Sequence, residues 1–190
     1  NDIDSMMGMI DSVLTYTRAE LGSETPRKLS LVSLLDSIVA DYEDTGRSVT
    51  LRAQEDQIVQ GGRSLFTTRQ GQGVMTAGRE IVVTARPISL ERAICNLIDN
   101  ALKYGRRAVV RLDANAERAV ITVEDEGSEL TVAEIQEVLA PFQRGANSSA
   151  IDGFGLGLTI VATVAEQHGG TLRFDQGSLG LRASLDIQRH

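Results

Sequence analysis

Two segments of the chain combine residues whose types and spacing could hold a metal ion and phosphate groups. In the segment Asn96–Tyr104, residues Asn96, Asn100 and Lys103 are spaced by four and three, so they share one face of a helix. Amide oxygens and waters suit Mg²⁺, and an ammonium group offsets phosphate charge. The second segment, Gly153–Leu158, is a glycine-dense loop that leads into a helical pattern, where backbone N–H groups can approach phosphates. Together the two segments predict a nucleotide site, whereas neither would justify it alone.

Each of these signals also has a plainer explanation. The helix face could be a solvated surface with incidental asparagines, although Asn is a middling helix former and two of them in mid-helix favour a function. The glycine loop is neither a Walker A loop nor a G-x-G-x-x-G fingerprint, since position 158 is Leu. A third feature, Val123–Gly127, ends a strand with Asp125 before a tight turn. A carboxylate there could accept a hydrogen bond from an exocyclic amine, but strand–Asp–Gly is also an ordinary turn.

Composition and charge restrict the classes of protein that the chain can represent. Of its 190 residues 42% are hydrophobic and 24% charged, which predicts a globular unit long enough to bury a core. The net charge of -7 argues against a nucleic-acid binder, which needs a basic face, but not against binding a nucleotide. The single cysteine, Cys95, excludes an intrachain disulfide and is expected in the core. No apolar run approaches the ~20 residues of a membrane span, and no signal-peptide pattern is present.

The first 21 residues have the pattern of a bundle helix. Their apolar residues alternate spacings of four and three, and the stripe is wide enough for a multi-helix bundle. We expect a dimerisation or phosphotransfer helix; the alternative is a helix that packs against the rest of this chain. The break at Gly22–Pro26 favours the first. Because the chain starts at Asn1 inside this pattern, we expect it to be a fragment.

Short strands and helices are expected along the rest of the chain. Ser30 is a candidate N-cap for a helix over roughly 30–44, and a second helix should run from about Ser89 to Tyr104. The glycine-rich segment 61–79 is either a long loop or an extra hairpin. The other expected elements are strands 49–51, 81–84, 108–112, 119–124, 171–175 and 181–187, and helices near 131–139 and 157–168.

In their order and approximate spacing, these motifs resemble the sensor histidine kinases of bacterial two-component systems, specifically their catalytic ATP-binding domain. Asn96–Tyr104 matches the N box, Asp125-Glu-Gly127 the start of the G1 box, Pro141–Gly145 the F box and Gly153–Leu158 the G2 box. The resemblance covers residues 28–187. It implies an α+β fold of the Bergerat type, a two-layer α/β sandwich in which helices cover one face of a mixed β-sheet.

The resemblance implies roles for the residues of the first two boxes. Asn100 would chelate Mg²⁺, and Asn96 would lie near the phosphates of ATP. Lys103 would approach the phosphates, so Asn96 and Lys103 are the candidate catalytic residues. Tyr104 would contact the base or the ribose. Asp125 would bind the adenine amino group, in a pocket that Gly127 would shape.

The last two boxes would close the site over the triphosphate. Phe142 and Arg144 would belong to a mobile lid, and residues 143–153, polar and flanked by glycines, have the composition of one. By the same resemblance, four residues of the G2 box would surround the triphosphate: Gly153, Gly155, Leu156 and Gly157. The implied cofactors are ATP and Mg²⁺.

The resemblance also implies a domain organisation and partners. Residues 1–22 would be the second helix of a dimerisation and histidine-phosphotransfer domain, 23–29 a linker and 30–190 the catalytic domain. The γ-phosphoryl group would pass to a histidine on a helix of that dimerisation domain and then to a response regulator receiver domain. The chain holds only His168 and His190, neither in the context of a phosphoacceptor. The full-length protein would be a homodimer anchored in the inner membrane, with this domain in the cytoplasm.

Two departures from the family pattern leave alternatives open. Glu129 stands where the G1 box has its second glycine, and the segment 61–79 is longer than usual before the N box. The first departure favours a degenerate, non-catalytic module for nucleotide sensing or scaffolding. A third possibility is an ATPase of the gyrase or Hsp90 type, for which Glu91 is the candidate water-activating carboxylate.

Overall fold

The computed structural model describes residues 23–52, 80–127, 132–133 and 155–189. The strands are β1 (Arg27–Ser30), β2 (Val49–Arg52), β3 (Val82–Ala85), β4 (Arg107–Ala114), β5 (Arg118–Glu126), β6 (Thr171–Gln176) and β7 (Leu181–Gln188). The helices are α1 (Leu31–Asp44), α2 (Pro87–Tyr104) and α3 (Gly155–Gln167). The expectations for the bundle helix of 1–22, the segment 61–79 and the lid of 143–153 lie outside the described residues. None of the helices in the described ranges is long and apolar enough to cross a membrane.

Five strands form a mixed sheet in the order β2-β4-β5-β7-β6. Strand β2 runs parallel to β4, and the other neighbouring pairs are antiparallel. Helices α1, α2 and α3 pack against this sheet, and α2 contacts both α1 and α3. Alternate residues of β5 and β7 bury apolar side chains in the shared core: Ala119, Ile121, Val123, Leu185 and Ile187. The α+β class with helices layered on a mixed sheet, expected from the sequence, is confirmed.

Helix α1 begins as its sequence predicts. Ser30 has extended backbone angles, and its hydroxyl accepts a hydrogen bond from the Ser33 N–H at 3.4 Å. The apolar stripe of Leu31, Leu35 and Ile38 is buried. The helix therefore joins the core along a single face.

Helix α2 carries the predicted amide face and is the longest helix among the described residues. Pro87 occupies its first turn, where the missing N–H costs nothing. Its buried side is the one expected from the 3.6-residue period, comprising Leu90, Ala93, Ile94, Leu97, Ile98 and Ala101. Cys95 is partly buried and packs against this core, as expected.

Strand β1 was not anticipated from the sequence, which placed residues 23–29 in a linker. It pairs antiparallel with β3, with Arg27 opposite Ala85 and Ser30 opposite Val82. Only Leu29 of its four residues is apolar, so the segment lacks the alternation that marks a half-buried strand. The pairing with β3, rather than local preference, makes it a strand.

Candidate functional site

A pocket lies between α2, the start of α3 and strands β5, β6 and β7. Leu97, Asn100, Ala101 and Tyr104 of α2 form one wall, and Leu158 of α3 adjoins them. The opposite wall is built by the strand residues Val123, Asp125, Phe174, Leu181 and Ala183. The pocket is therefore largely apolar, with an amide on one side and a carboxylate on the other. This composition is typical of a small-molecule site.

Asp125 is the charged group among the described residues that line the pocket. Ile121, Val123 and Asp125 alternate along β5, so they share the face that α2 covers. The side chain is only 3% exposed. Its Oδ1 accepts a hydrogen bond from the Leu181 N–H at 3.0 Å, which fixes the orientation of the carboxylate. A buried carboxylate held in this way is a strong hydrogen-bond acceptor for a ligand.

The N-terminal part of α3 approaches the amide face of α2. A Cβ atom added to Gly157 would lie 3.5 Å from Asn96 Oδ1 and 4.0 Å from Asn100 Nδ2. The structure therefore brings together the two segments that the sequence singled out. Gly155 and Leu156 form the first turn of α3, so backbone N–H groups of this turn lack partners within the helix. Such groups attract anions.

The side chains around Asn100 fit a metal ion that keeps water ligands and is shared with phosphate groups, rather than one held by protein side chains alone. The Asn100 Nδ2 atom is buried and makes no hydrogen bond to any residue that the structure describes. Buried polar atoms in proteins are normally hydrogen-bonded, so the Asn100 side chain is a candidate ligand-binding group. Within the described ranges no three His, Cys, Asp or Glu residues cluster to hold a metal. A metal here would need amide, phosphate and water oxygens, which Mg²⁺ accepts.

Two other candidate residues lie near pocket residues in the chain: Lys103 precedes Tyr104, and Gly127 follows Asp125 by two positions. Lys103 is exposed in the last turn of α2, with its Nζ 5.1 Å from the centre of the Tyr104 ring. Gly127 has a positive φ of 90°, a conformation that favours glycine, just after β5. Phe142, Arg144 and Gly153 lie outside the described residues.

Two glycines that the sequence analysis overlooked shape the surroundings of Asp125. A Cβ atom on Gly105 would lie 3.0 Å from the Cβ of Asp125 and 2.8 Å from the Ala101 carbonyl oxygen. A Cβ atom on Gly180 would lie 2.1 Å from Asp125 Oδ1. Both glycines are needed because atoms of Asp125 approach them too closely for a Cβ atom to fit, and not because the backbone has a positive φ there. In the sequence nothing but the residue type marks them.

The N-terminus of α2 is anchored by a residue from the start of the described chain. Arg86, at the N-cap position, makes no side-chain cap. Instead the Glu24 carboxylate accepts hydrogen bonds from the Ile88 N–H at 2.8 Å and the Ser89 N–H at 3.0 Å. Burial alone would raise the pKa of Glu24, but these hydrogen bonds outweigh it and lower the pKa below its usual value. A carboxylate at this end also suits the helix dipole.

His168 joins the ends of the two helices that carry the site. It is 8% exposed, at the C-terminal end of α3. Its Nδ1–H donates to the Val164 carbonyl oxygen at 2.7 Å, and its Nε2 accepts from the Arg86 N–H at 3.0 Å. The neutral tautomer satisfies both contacts, whereas protonated Nε2 could not accept. The sequence analysis predicted only that His168 is not a phosphoacceptor.

This arrangement makes stability depend on pH near neutrality. Burial lowers the pKa of His168 below its usual 6.5. As pH falls through 6.5, the unfolded chain therefore binds a proton at this histidine, whereas the native chain does not. The free energy of unfolding is therefore expected to fall as pH drops below about 6.5, with a slope of at most about 1.4 kcal/mol per pH unit. Urea unfolding of the wild type and His168→Gln between pH 5.5 and 7.5 checks this. The variant should show the flatter profile, and equal slopes would contradict the assignment.

Comparison with known proteins gives a consistent family. Residues 85–188 match the family model described as histidine kinase-, DNA gyrase B-, and HSP90-like ATPase. The sensor histidine kinase GtrS of Pseudomonas aeruginosa is 38% identical over 105 residues, 55% of this chain and 22% of that protein. The sensor protein KdpD of Mycobacterium tuberculosis is 39% identical over 101 residues, 52% of this chain and 12% of that protein. The chain thus spans less than a quarter of these curated relatives.

Solved structures show the same fold. The crystal structure of the ATP binding domain of PrrB from Mycobacterium tuberculosis aligns with a TM-score of 0.62 at 22% identity. The alignment covers 88% of this chain and 99% of that domain. At this identity the likeness concerns the arrangement of helices and strands alone.

Proposed function

The chain belongs to the family of histidine kinase-, DNA gyrase B- and HSP90-like ATPases, and we propose that it is the ATP-binding catalytic domain of a sensor histidine kinase. In this proposal the γ-phosphoryl group of ATP passes to a histidine on a separate helix. The curated relative GtrS is a sensor histidine kinase. The observation that carries the proposal is the buried Asp125 carboxylate, which faces the Asn100 amide across one pocket.

Asp125 would select adenine. Its carboxylate can only accept hydrogen bonds, and the 6-position of adenine carries an amino donor. Guanine carries a carbonyl oxygen at that position, which a carboxylate repels. The apolar side chains of Leu97, Ala101 and Leu158 would contact the base. Discrimination by a site built to hydrogen-bond one partner is strong because the wrong ligand leaves buried polar groups unpaired.

The triphosphate would lie toward the amide face and the start of α3. The backbone N–H groups of Gly155, Leu156 and Gly157 would donate hydrogen bonds to phosphate oxygens, close to Asn96. The exposed Lys103 would offset the charge of the phosphates. Asn100 would hold Mg²⁺, which neutralises phosphate charge when bound. Phosphoryl transfer depends mainly on such positioning and charge neutralisation.

The remaining parts of the proposal concern the lid, the missing acceptor and the partners. Phe142, Arg144 and the rest of 143–153 would close over the nucleotide and exclude water. Residues 1–22 would belong to a dimerisation domain, whose other helix supplies the acceptor histidine. The histidine kinase ThkA has been solved in complex with the response regulator TrrA, and it aligns with a TM-score of 0.60 at 11% identity over 49% of that chain. A response regulator is the proposed final acceptor, and the whole protein a membrane-anchored homodimer with this domain in the cytoplasm.

The geometry does not favour an ATPase that uses Glu91. Glu91 is exposed on α2 and precedes Asn96 by five residues. At about 100° per residue, it therefore lies roughly 140° around the helix from Asn96 and opposite Asn100. A water activated there would be remote from phosphates held at the amide face. Under the kinase proposal, by contrast, both Asn96 and Asn100 on the amide face have a role.

Phosphotransfer to a separate acceptor tests the proposed function. The chain is incubated with γ-labelled Mg-ATP and a dimerisation domain that contains its acceptor histidine, and label on the acceptor is measured. The wild type should transfer label, and Asn100→Ala should be slower by about 100-fold because it loses the metal ligand. Asn115→Ala is the matched control: Asn115 accepts hydrogen bonds from Glu117 and Arg118 in the β4–β5 turn, remote from the pocket. The control should lose some stability but transfer normally.

Two results would contradict the proposed function. If the chain binds ATP but transfers no label to an acceptor histidine, it is a nucleotide-binding module without kinase activity. Equal transfer rates for Asn100→Ala and the wild type would remove Asn100 from the catalytic site.

A further inference from the structure

Glu124 is a buried carboxylate that the proposed function does not use. It precedes Asp125 on β5, so the two side chains point to opposite faces of the sheet. Glu124 is 0% exposed, on the face away from the nucleotide pocket. A fully buried acid needs partners to offset its desolvation. Some of its partners belong to a turn that also adjoins Asp125, on the other face of the sheet.

Two hydrogen-bond donors to Glu124 come from the connection between β6 and β7, residues Gly177–Gly180, here termed the 177–180 turn. Glu124 Oε1 accepts hydrogen bonds from the Leu179 N–H at 2.7 Å and the Ser178 hydroxyl at 3.3 Å. The turn is closed by the Gly177 N–H, which donates to the Gly180 carbonyl oxygen at 2.8 Å. The carboxylate therefore fixes the middle of this turn.

The residue that follows this turn bonds to Asp125, whose side chain points to the other face of the sheet. Leu181 directly follows the turn, and its N–H donates to Asp125 Oδ1 at 3.0 Å. Cβ atoms on Gly177 and Gly180 would lie 2.1 Å from Glu124 Oε1 and from Asp125 Oδ1, respectively. Only glycine leaves room for both carboxylates. The turn thus lies between two consecutive acidic side chains of β5.

Two arginines keep Glu124 charged. Arg111 Nη1 lies 2.5 Å from Glu124 Oε2, and Arg182 Nε lies 3.9 Å from the same oxygen. Burial alone would raise the pKa of Glu124, but the hydrogen bonds from Leu179 and Arg111 and the positive charges outweigh it and lower the pKa. The anion, which is the better acceptor for the turn, is therefore the form present at neutral pH.

We propose that Glu124 is a positioning residue for adenine recognition, which fixes the 177–180 turn so that the Leu181 N–H orients the Asp125 carboxylate. The inference rests on the proposed function, in which Asp125 accepts the adenine amino group. Glu124 itself touches no nucleotide. Its effect passes through one turn, from the outer face of the sheet to the pocket face. Loss of Glu124 should therefore impair selection of adenine as well as stability.

The test combines amide exchange with nucleotide affinity. In Glu124→Ala the Leu181 amide should exchange faster by about tenfold or more, ATP affinity should fall about tenfold, and the preference for ATP over GTP should shrink. Glu124→Gln keeps an oxygen acceptor for Leu179, so it should remain within about threefold of the wild-type affinity. Glu126→Ala is the matched control, because Glu126 is also next to Asp125 but is half exposed and pairs with Arg107 of β4. The control should match the wild type.

Particular results would overturn the inference. If Glu124→Ala keeps the wild-type Leu181 exchange rate, ATP affinity and selectivity, Glu124 does not position Asp125, even though the proposed function stands. Failure of the proposed function looks different, because the wild-type chain itself would then bind no ATP or would transfer no label to an acceptor histidine. Should Glu124→Ala not fold, Glu124→Asp replaces it: the shorter side chain keeps its charge but withdraws from Leu179, so the same changes are expected, and their absence is equally decisive.

Discussion

Asp125→Asn is expected to weaken ATP binding by about 100-fold while leaving the fold intact. The amide oxygen of the substituted side chain should keep the hydrogen bond that Asp125 Oδ1 accepts from the Leu181 N–H. The other polar atom of the side chain then becomes an amide nitrogen, which is a donor. A donor facing the adenine amino group is repelled, whereas it can pair with the carbonyl oxygen of guanine. GTP should therefore lose much less affinity than ATP, or gain some.

Calorimetric titration of the variant with Mg-ATP and Mg-GTP measures both effects. Asp113→Asn is the matched control, since Asp113 lies on β4 opposite Val120, whereas Asp125 lies opposite Ala108 near the other end of that strand. The control should bind ATP like the wild type. Unchanged ATP affinity in Asp125→Asn, with the fold retained, would show that the carboxylate does not recognise the base.

Gly180→Ala should damage both stability and ATP binding. The added Cβ would lie 2.1 Å from Asp125 Oδ1 and 2.6 Å from the Asp125 backbone oxygen, and the backbone atom cannot move aside cheaply. Relief of the clash must displace the Leu181 N–H and rotate the carboxylate. We expect a loss of roughly 2 kcal/mol in the free energy of unfolding and at least about a tenfold loss of ATP affinity.

Gly46→Ala separates general destabilisation from damage to the pocket. Gly46 follows α1 with a φ of 74°, and no atom lies within 4 Å of its added Cβ. The substitution should cost about 1 kcal/mol through its left-handed backbone alone and leave ATP affinity unchanged. Equal losses of ATP affinity in both variants would mean that the Gly180 effect is indirect. Urea unfolding and calorimetry on the two variants provide the comparison.

The helix that carries the amide face could be predicted from the sequence. Its apolar residues recur with the 3.6-residue period, so the spacing alone fixes which side is buried and leaves Asn96 and Asn100 at the edge of the core. The alternation of Val123 and Asp125 along β5 likewise places the carboxylate on the helix-covered face. Local periodicity therefore carries most of the information about the two walls of the pocket.

The contacts that hold the pocket in shape could not be predicted, because they join distant parts of the chain. Glu24 caps a helix more than sixty residues later, and Glu124 holds a turn that lies more than fifty residues away. Strand β1 exists only through its pairing with β3. No local pattern reveals such partners, since propensity and periodicity describe neighbours in sequence. Gly105 and Gly180 are understandable only once Asp125 is seen beside them.

Titration of the wild-type chain with Mg-ATP and, separately, with Mg-GTP tests the central claim most directly. The claim is that the pocket between α2, α3 and the sheet binds an adenine nucleotide and rejects guanine through Asp125. The expected result is saturable binding of one ATP per chain, with GTP weaker by at least about tenfold. Absence of ATP binding, or equal affinity for the two nucleotides, would contradict the account.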